Sequence, residues 1–152
     1  MAPFPIVLKP AEAYKYHYFE TEIFIKSPLS SVFKRETFEA VRGFREIRLA
    51  GDFDMWHRLA KKFNVLLMPD GIIWSRIHDG QENSRQRDYL KTYERVMIQH
   101  LKSSDCPLSK QDVDRILLKR KAVLLRSLLS AVAKGKLTTA ADISKRLSCH
   151  LY

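Results

Sequence analysis

Residues 50–84 read AGDFDMWHRLAKKFNVLLMPDGIIWSRIHDGQENS and carry the side chains best suited to chemistry. Asp52 and Asp54 stand two apart at the head of a segment with helical spacing. An acid in the first turn of a helix accepts backbone N–H groups and suits the helix dipole, which is a capping role. The same place also keeps a carboxylate fixed and reachable, as a general base requires. Trp56 comes one turn after Asp52 and shares its side. It is either a core residue or an apolar platform for a sugar ring. Arg76 and His78 alternate about Ile77, so on a strand both point to one face. Such a cationic pair holds a phosphate or a carboxylate, or else it marks an exposed strand end. His78 is also a metal-ligand candidate, though one histidine with no companion in view is a thin ligand set.

Several signatures are absent: the Walker-type loop, G-x-G-x-x-G, H-E-x-x-H and G-x-S-x-G. Two D-x-D strings occur, at 52–54 and 112–114. Both sit in helical contexts, and neither follows a strand, where a metal–diphosphate site belongs.

The elements that must position these residues follow from patterning. PIVLK (5–9) and TEIFIK (21–26) read as strands, being β-branched and partly alternating. Between them, Tyr14, Tyr16 and Tyr18 alternate, which suits either a continued strand or an aromatic loop. KRETFEAVRGF predicts a short helix with Gly43 at its C-terminal cap and Phe44 making the hydrophobic contact after it. A helix is expected from Asp52 to about Phe63, because Trp56, Leu59, Ala60 and Phe63 fall at i, i+3, i+4 and i+7. NVLLM (64–68) is a strand, Pro69-Asp70-Gly71 a turn, and GIIWSRI the returning strand. Residues 79–87 are polar and loop-like. A helix follows from about Arg87 to Leu101. Ser109 with Asp112 makes a capping-box-like start for the next one. There Leu124, Leu125, Leu128, Leu129 and Val132 line one side, with Lys119, Arg126, Ser130 and Lys134 opposite. Gly135 stops it, and Thr139 with Asp142 starts a final short helix. The order is mixed strands and helices to about residue 80 and helices thereafter, which suggests half of an α/β domain with a helical extension.

The bulk composition narrows the partner classes. The chain has 152 residues, 45% hydrophobic and 11% aromatic, and a net charge of +10. That suits one folded domain and not a disordered tail. The charge admits nucleic acid, anionic lipid or phosphorylated small molecules as partners. Cys106 and Cys149 lie far apart and read as reduced thiols of a cytoplasmic protein. Phe4 to Leu8 is too short for a secretory leader and contains Pro5, so none is expected, and no apolar run reaches membrane-spanning length.

The stretch SSVFKRETFEAVRGFREIRLAGDFDMWHRLAKKFNVLLMPDGIIWSRIHDGQENS resembles the C-terminal half of family 2 glycosyltransferases of the GT-A fold. The matching pieces are Lys34-Arg35-Glu36-Thr37-Phe38, Gly43-Phe44-Arg45-Glu46, Asp52 through Ala60, and Arg76-Ile77-His78 with Ser84. Their order and spacing carry the resemblance. It implies an α/β fold: the C-terminal half of a GT-A type mixed sheet with flanking helices, followed by a helical C-terminal extension. Residues 1–85 are then the acceptor-side half of the transferase domain, and residues 86–152 the basic helical extension. By the same resemblance Asp52 is the general base on the acceptor hydroxyl. Asp54 and Arg58 support the site, Trp56 lies near the acceptor, and Arg76 and His78 close over the donor diphosphate. His78 joins the metal shell in some relatives. The implied chemistry is sugar transfer from a nucleotide-diphosphate donor to a saccharide or lipid-linked acceptor, with Mg²⁺ or Mn²⁺ neutralising the departing diphosphate. Gly51 departs from the family's usual glutamate. The family's nucleotide-binding half, with its D-x-D metal ligands, has no counterpart here. The expectation is therefore a fragment of a longer transferase, inactive alone, with strand edges and apolar surface left uncovered.

A different class of function also fits, a basic interaction module without catalysis. LTTAADISKRLSCHL (137–151) faintly resembles part of a helix-turn-helix, but no recognition helix follows, which disfavours nucleic acid. The basic amphipathic helix over 116–134 either packs on its own domain or docks on anionic lipid at the inner membrane face.

Overall fold

The computed structural model describes residues 4–69 and 86–150, and the side chains of all of these but 86–89. The chain is mostly helical (64%). Its elements are β1 (Ile6–Leu8), α1 (Pro10–Lys15) with a π-helical turn (Tyr16–Glu20), a 3-10 turn (Pro28–Ser30), α2 (Arg35–Ala40), α3 (Gly51–Lys62), β2 (Val65–Leu67), α4 (Gln86–Lys102), α5 (Lys110–Ala133) and α6 (Leu137–Ser148).

Among the described residues the sheet is one antiparallel pair, with Ile6 opposite Leu67 and Leu8 opposite Val65. This overturns the expected α/β fold, the GT-A type mixed sheet with flanking helices. The difference begins at residues 10–26. Pro10 is pre-set for a first helical position, and Glu12 reaches back to accept the Lys9 N–H (2.8 Å). The tyrosine alternation is then helical, and Tyr14 and Tyr18 are neighbours one turn apart (ring centroids 6.1 Å). The Thr21 N–H closes the π turn on the Tyr16 carbonyl (2.8 Å). The segment expected as strand 21–26 is irregular, because Phe24 turns its N–H to His17 Nδ1 (3.2 Å) and lays its ring on the His17 ring.

The chain forms two compact units, Met1–Ser84 with Asp105–Leu108, and Arg85–Ser104 with Ser109–Tyr152. In the first, α1 packs on α3 around Ala13, Tyr14, Phe24, Phe53 and Met55. Lys61 Nζ meets Asp105 Oδ1 at 2.5 Å, which joins the 105–108 segment to α3. Val7 and Leu66 face each other across the two strands, and both are exposed. Arg42 and Gly43 adopt positive φ after α2, and the Gly43 N–H bonds the Phe38 carbonyl (2.9 Å). A β-carbon at Gly43 would stand 2.7 Å from the Phe38 ring, so sterics and backbone both require glycine. Phe44 then meets Phe38 edge-on at 5.7 Å, the contact expected after such a cap.

In the second unit, α5 and α6 pack as an antiparallel pair through Leu124, Ala131, Ala140 and Ile143. Ser109 caps α5 by accepting the Asp112 N–H (3.1 Å), and Gly135 turns the chain at φ 66°. The last helix starts at Leu137, two residues before the expected Thr139. The apolar side expected along α5 divides in two. Leu124 and Leu128 face α6, whereas Leu125, Leu129 and Val132 stay exposed. No helix among the described residues is long and apolar enough to cross a membrane. Cys106 and Cys149 are free thiols.

Candidate functional site

The head of α3 separates its two acids. Asp52 is partly exposed and its Oδ1 accepts the Phe53 N–H (2.8 Å), satisfying a first-turn donor. Asp54 lies two residues on, about 200° round the helix, and is buried. Its Oδ2 accepts from Arg58 Nε (2.7 Å), and its Oδ1 lies 3.6 Å from Arg45 Nη1. Arg58 is buried too. Its Nη2 donates to the Gly43 carbonyl (2.7 Å) and its Nη1 to the Val41 carbonyl. One guanidinium therefore binds the buried acid of α3 to the end of α2. That clamp joins two of the pieces that carry the resemblance, the Gly43-Phe44-Arg45-Glu46 turn and the α3 segment, and holds both to Val41 just after α2.

Trp56 is buried. Its indole N–H donates to the Lys26 carbonyl (2.9 Å), and its ring meets Phe33 edge-on at 5.9 Å. This is the geometry of packing: the ring serves the core that fixes the helix. Arg76 and His78 lie outside the described residues, as does the returning strand that was to carry them.

The sequence reading gave no role to His57, which the fold places at the centre of an aromatic cluster. Its ring is within 6.1 Å of those of Tyr14, His17, Tyr18, Phe24 and Phe53. Nδ1 lies 2.8 Å from the Phe53 carbonyl, which can only accept, so Nδ1 carries the proton. In the neutral ring Nε2 then accepts from the Tyr18 hydroxyl (2.7 Å). Tyr14 Oη donates to the His57 carbonyl (3.0 Å), and burial pushes the phenol well above its ordinary range. The i, i+4 pairs Tyr14/Tyr18 and Phe53/His57 were the available signal. Without knowing that residues 16–20 are helical, nothing placed them on one face.

His17 is buried in the same cluster, and burial lowers its pKa to about 3. Its Nδ1 accepts the Phe24 N–H, so a proton there would set two donors against each other. The unfolded chain takes up that proton near pH 6.5, whereas the folded one waits until about 3. Stability is therefore full above pH 6.5 and declines as pH falls from 6.5 toward 3, by up to about 1.4 kcal/mol per unit. His17→Asn keeps an acceptor for the Phe24 N–H and removes the titration. Urea titrations from pH 7 to 4 should show a flatter pH dependence in the variant. An unchanged slope would assign the acid sensitivity elsewhere.

The resemblance implies Mg²⁺ or Mn²⁺, and the acids at α3 do not fit one. Asp54 faces arginines with both oxygens, and no group of three or more His, Cys, Asp or Glu side chains among the described residues could hold a metal ion.

Compared with known proteins, the chain matches no family model, no curated protein and no solved structure.

Proposed function

We propose that this chain supplies the acceptor-side segment of a nucleotide-sugar-dependent glycosyltransferase of the family 2 type, with Asp52 as the general base. The observation that carries this reading is the unequal placement of the two acids at the head of α3. Asp54 is consumed by Arg58 and Arg45 inside the unit, whereas Asp52 is held on the first turn and stays partly open to solvent. The Arg58 clamp supports the same reading, because it fixes the helix head against the turn after α2.

In this mechanism the acceptor hydroxyl oxygen attacks the anomeric carbon of the donor sugar. Its proton passes to a carboxylate oxygen of Asp52. The bond from the anomeric carbon to the diphosphate oxygen breaks, and the electron pair leaves with the nucleoside diphosphate. Arg76 and His78 are assigned, on sequence alone, to the donor diphosphate. Asp54, Arg58 and Trp56 act through position: they hold the helix that presents Asp52 and touch no reacting atom.

The test uses the longest reading frame that contains this chain. Purified protein is incubated with a panel of uridine, guanosine and thymidine diphosphate sugars and a saccharide and lipid-linked acceptor mixture. Acceptor-dependent release of nucleoside diphosphate with one donor is the expected result. A folded protein that releases none, with any donor and in the presence of divalent cations, would remove the proposal.

A further inference from the structure

Among the described residues, one side of α5 beyond its first turns is apolar and exposed, while Gln111 and Asp114 share that side nearer the N-terminus. Leu118, Leu125, Leu129 and Val132, with the small Ala122 among them, recur at alternating spacings of four and three. At 100° per residue they fall within an arc of about 80°, away from the Leu124/Ala131 seam that α6 covers. Leu118 and Leu129 are 70% and 69% exposed, values at which a leucine side chain gains almost nothing from the fold. Cations border this arc: Arg115, Lys119 and Arg126 on one side and Lys121 on the other. Across α5 as a whole, six basic residues face two acidic ones.

This pattern decides among possible occupants. A second copy of α5, laid on the stripe in either direction, would set these cations against cations. Nucleic acid phosphates would meet the cations and leave the leucines in water. An anionic bilayer satisfies both: the leucines enter the headgroup–acyl boundary and the flanking cations meet lipid phosphates. We infer that α5 is an interfacial helix that docks the second unit on an anionic membrane surface through Leu118, Leu125, Leu129 and Val132, flanked by Arg115, Lys119, Lys121 and Arg126. The helix lies in the interface plane and does not cross it. This inference is independent of the role given to Asp52, and its assay has no transfer readout.

The experiment is co-sedimentation of the full chain with vesicles of phosphatidylcholine alone and of phosphatidylcholine mixed with phosphatidylglycerol. Binding at least about tenfold stronger to the anionic vesicles is expected, weakening with added salt. Leu125→Glu with Leu129→Glu should bring binding down to the zwitterionic level. Both positions are exposed, so the circular dichroism spectrum and melting temperature should stay as in the parent. Lys119→Glu with Arg126→Glu should act in the same direction. Three results would each overturn the inference: equal binding to both vesicle types, anionic binding that survives the double leucine change, or a parent chain that is dimeric in light scattering and becomes monomeric with that change.

Discussion

Replacing Arg58 with methionine is expected to destabilise the first unit by about 3–5 kcal/mol, the cost of leaving a buried charge without its partner. Arg58 gives its Nε to Asp54 and two further donors to the carbonyls of Val41 and Gly43. Methionine fills much of the same volume but donates nothing. Asp54 would lose its close arginine, and two carbonyls at the end of α2 would lose their donor. Lysine in place of arginine should rescue little, since one ammonium cannot reach three acceptors in a fixed fork. The double variant Arg58→Met with Asp54→Leu should recover a large part of the loss, because the orphaned charge goes with its partner. Urea denaturation followed by tryptophan fluorescence reads all three. A single variant within about 1 kcal/mol of the parent would mean that the clamp is ornamental.

The second large effect belongs to Glu94 on α4. Its buried carboxylate receives Arg120 through Nε and Nη2 (3.0–3.1 Å), Arg146 Nη2 at 3.2 Å and His150 Nε2 at 2.9 Å. One acid thus ties α4 to α5, to α6 and to the residues just after α6. Burial alone would push this carboxyl up, but the hydrogen bonds and charges of Arg120, His150 and Arg146 outweigh it and hold the group below its ordinary range. Because the folded value is the lower one, the resulting stability is present above the unfolded value of 4.5 and is lost as pH falls below it. Glu94→Gln keeps the shape and loses the charge, leaving two guanidinium groups without their counter-ion. A loss of about 3 kcal/mol at pH 7 is expected, together with a flatter stability profile below about pH 4.5. Thermal melts of parent and variant from pH 7 to 3 would check both. Equal melting temperatures at pH 7 would show that the network contributes nothing net.

What was legible in the sequence was local. The start and stop of α3, the glycine at the end of α2, the Ser109 cap and the Gly135 stop each depend on a few neighbouring residues. The structure places all of them within a residue or two of expectation. The β1 and β2 segments were legible as strands for the same reason, but not as antiparallel partners of one another.

What was not legible depends on distant partners. Residues 21–26 look like a strand until Phe24 is seen to spend its N–H on His17. Trp56 reads as core from the Leu59 and Phe63 continuation, with a sugar platform as the alternative, and its partner, the Lys26 carbonyl, lies 30 residues away. Asp54 stands four residues before Arg58 and so is its legible helix partner, but that Arg45 joins it and that Arg58 also reaches Val41 and Gly43 depends on the turn after α2. The α5 leucines likewise form one side in the sequence. They divide into a covered seam and an exposed stripe because α6 packs on the Leu124, Leu128 and Ala131 side.

The most direct test of the central claim is the kinetics of Asp52→Asn in the longest reading frame that contains this chain, with transfer of labelled sugar as the readout. Asparagine serves nearly as well as aspartate at a helix head, so stability should change by no more than about 0.5 kcal/mol. If Asp52 removes the acceptor proton, kcat should fall by about a hundredfold or more, with the KM for the donor little changed. Transfer at the parent rate by a folded Asp52→Asn protein would contradict the assignment.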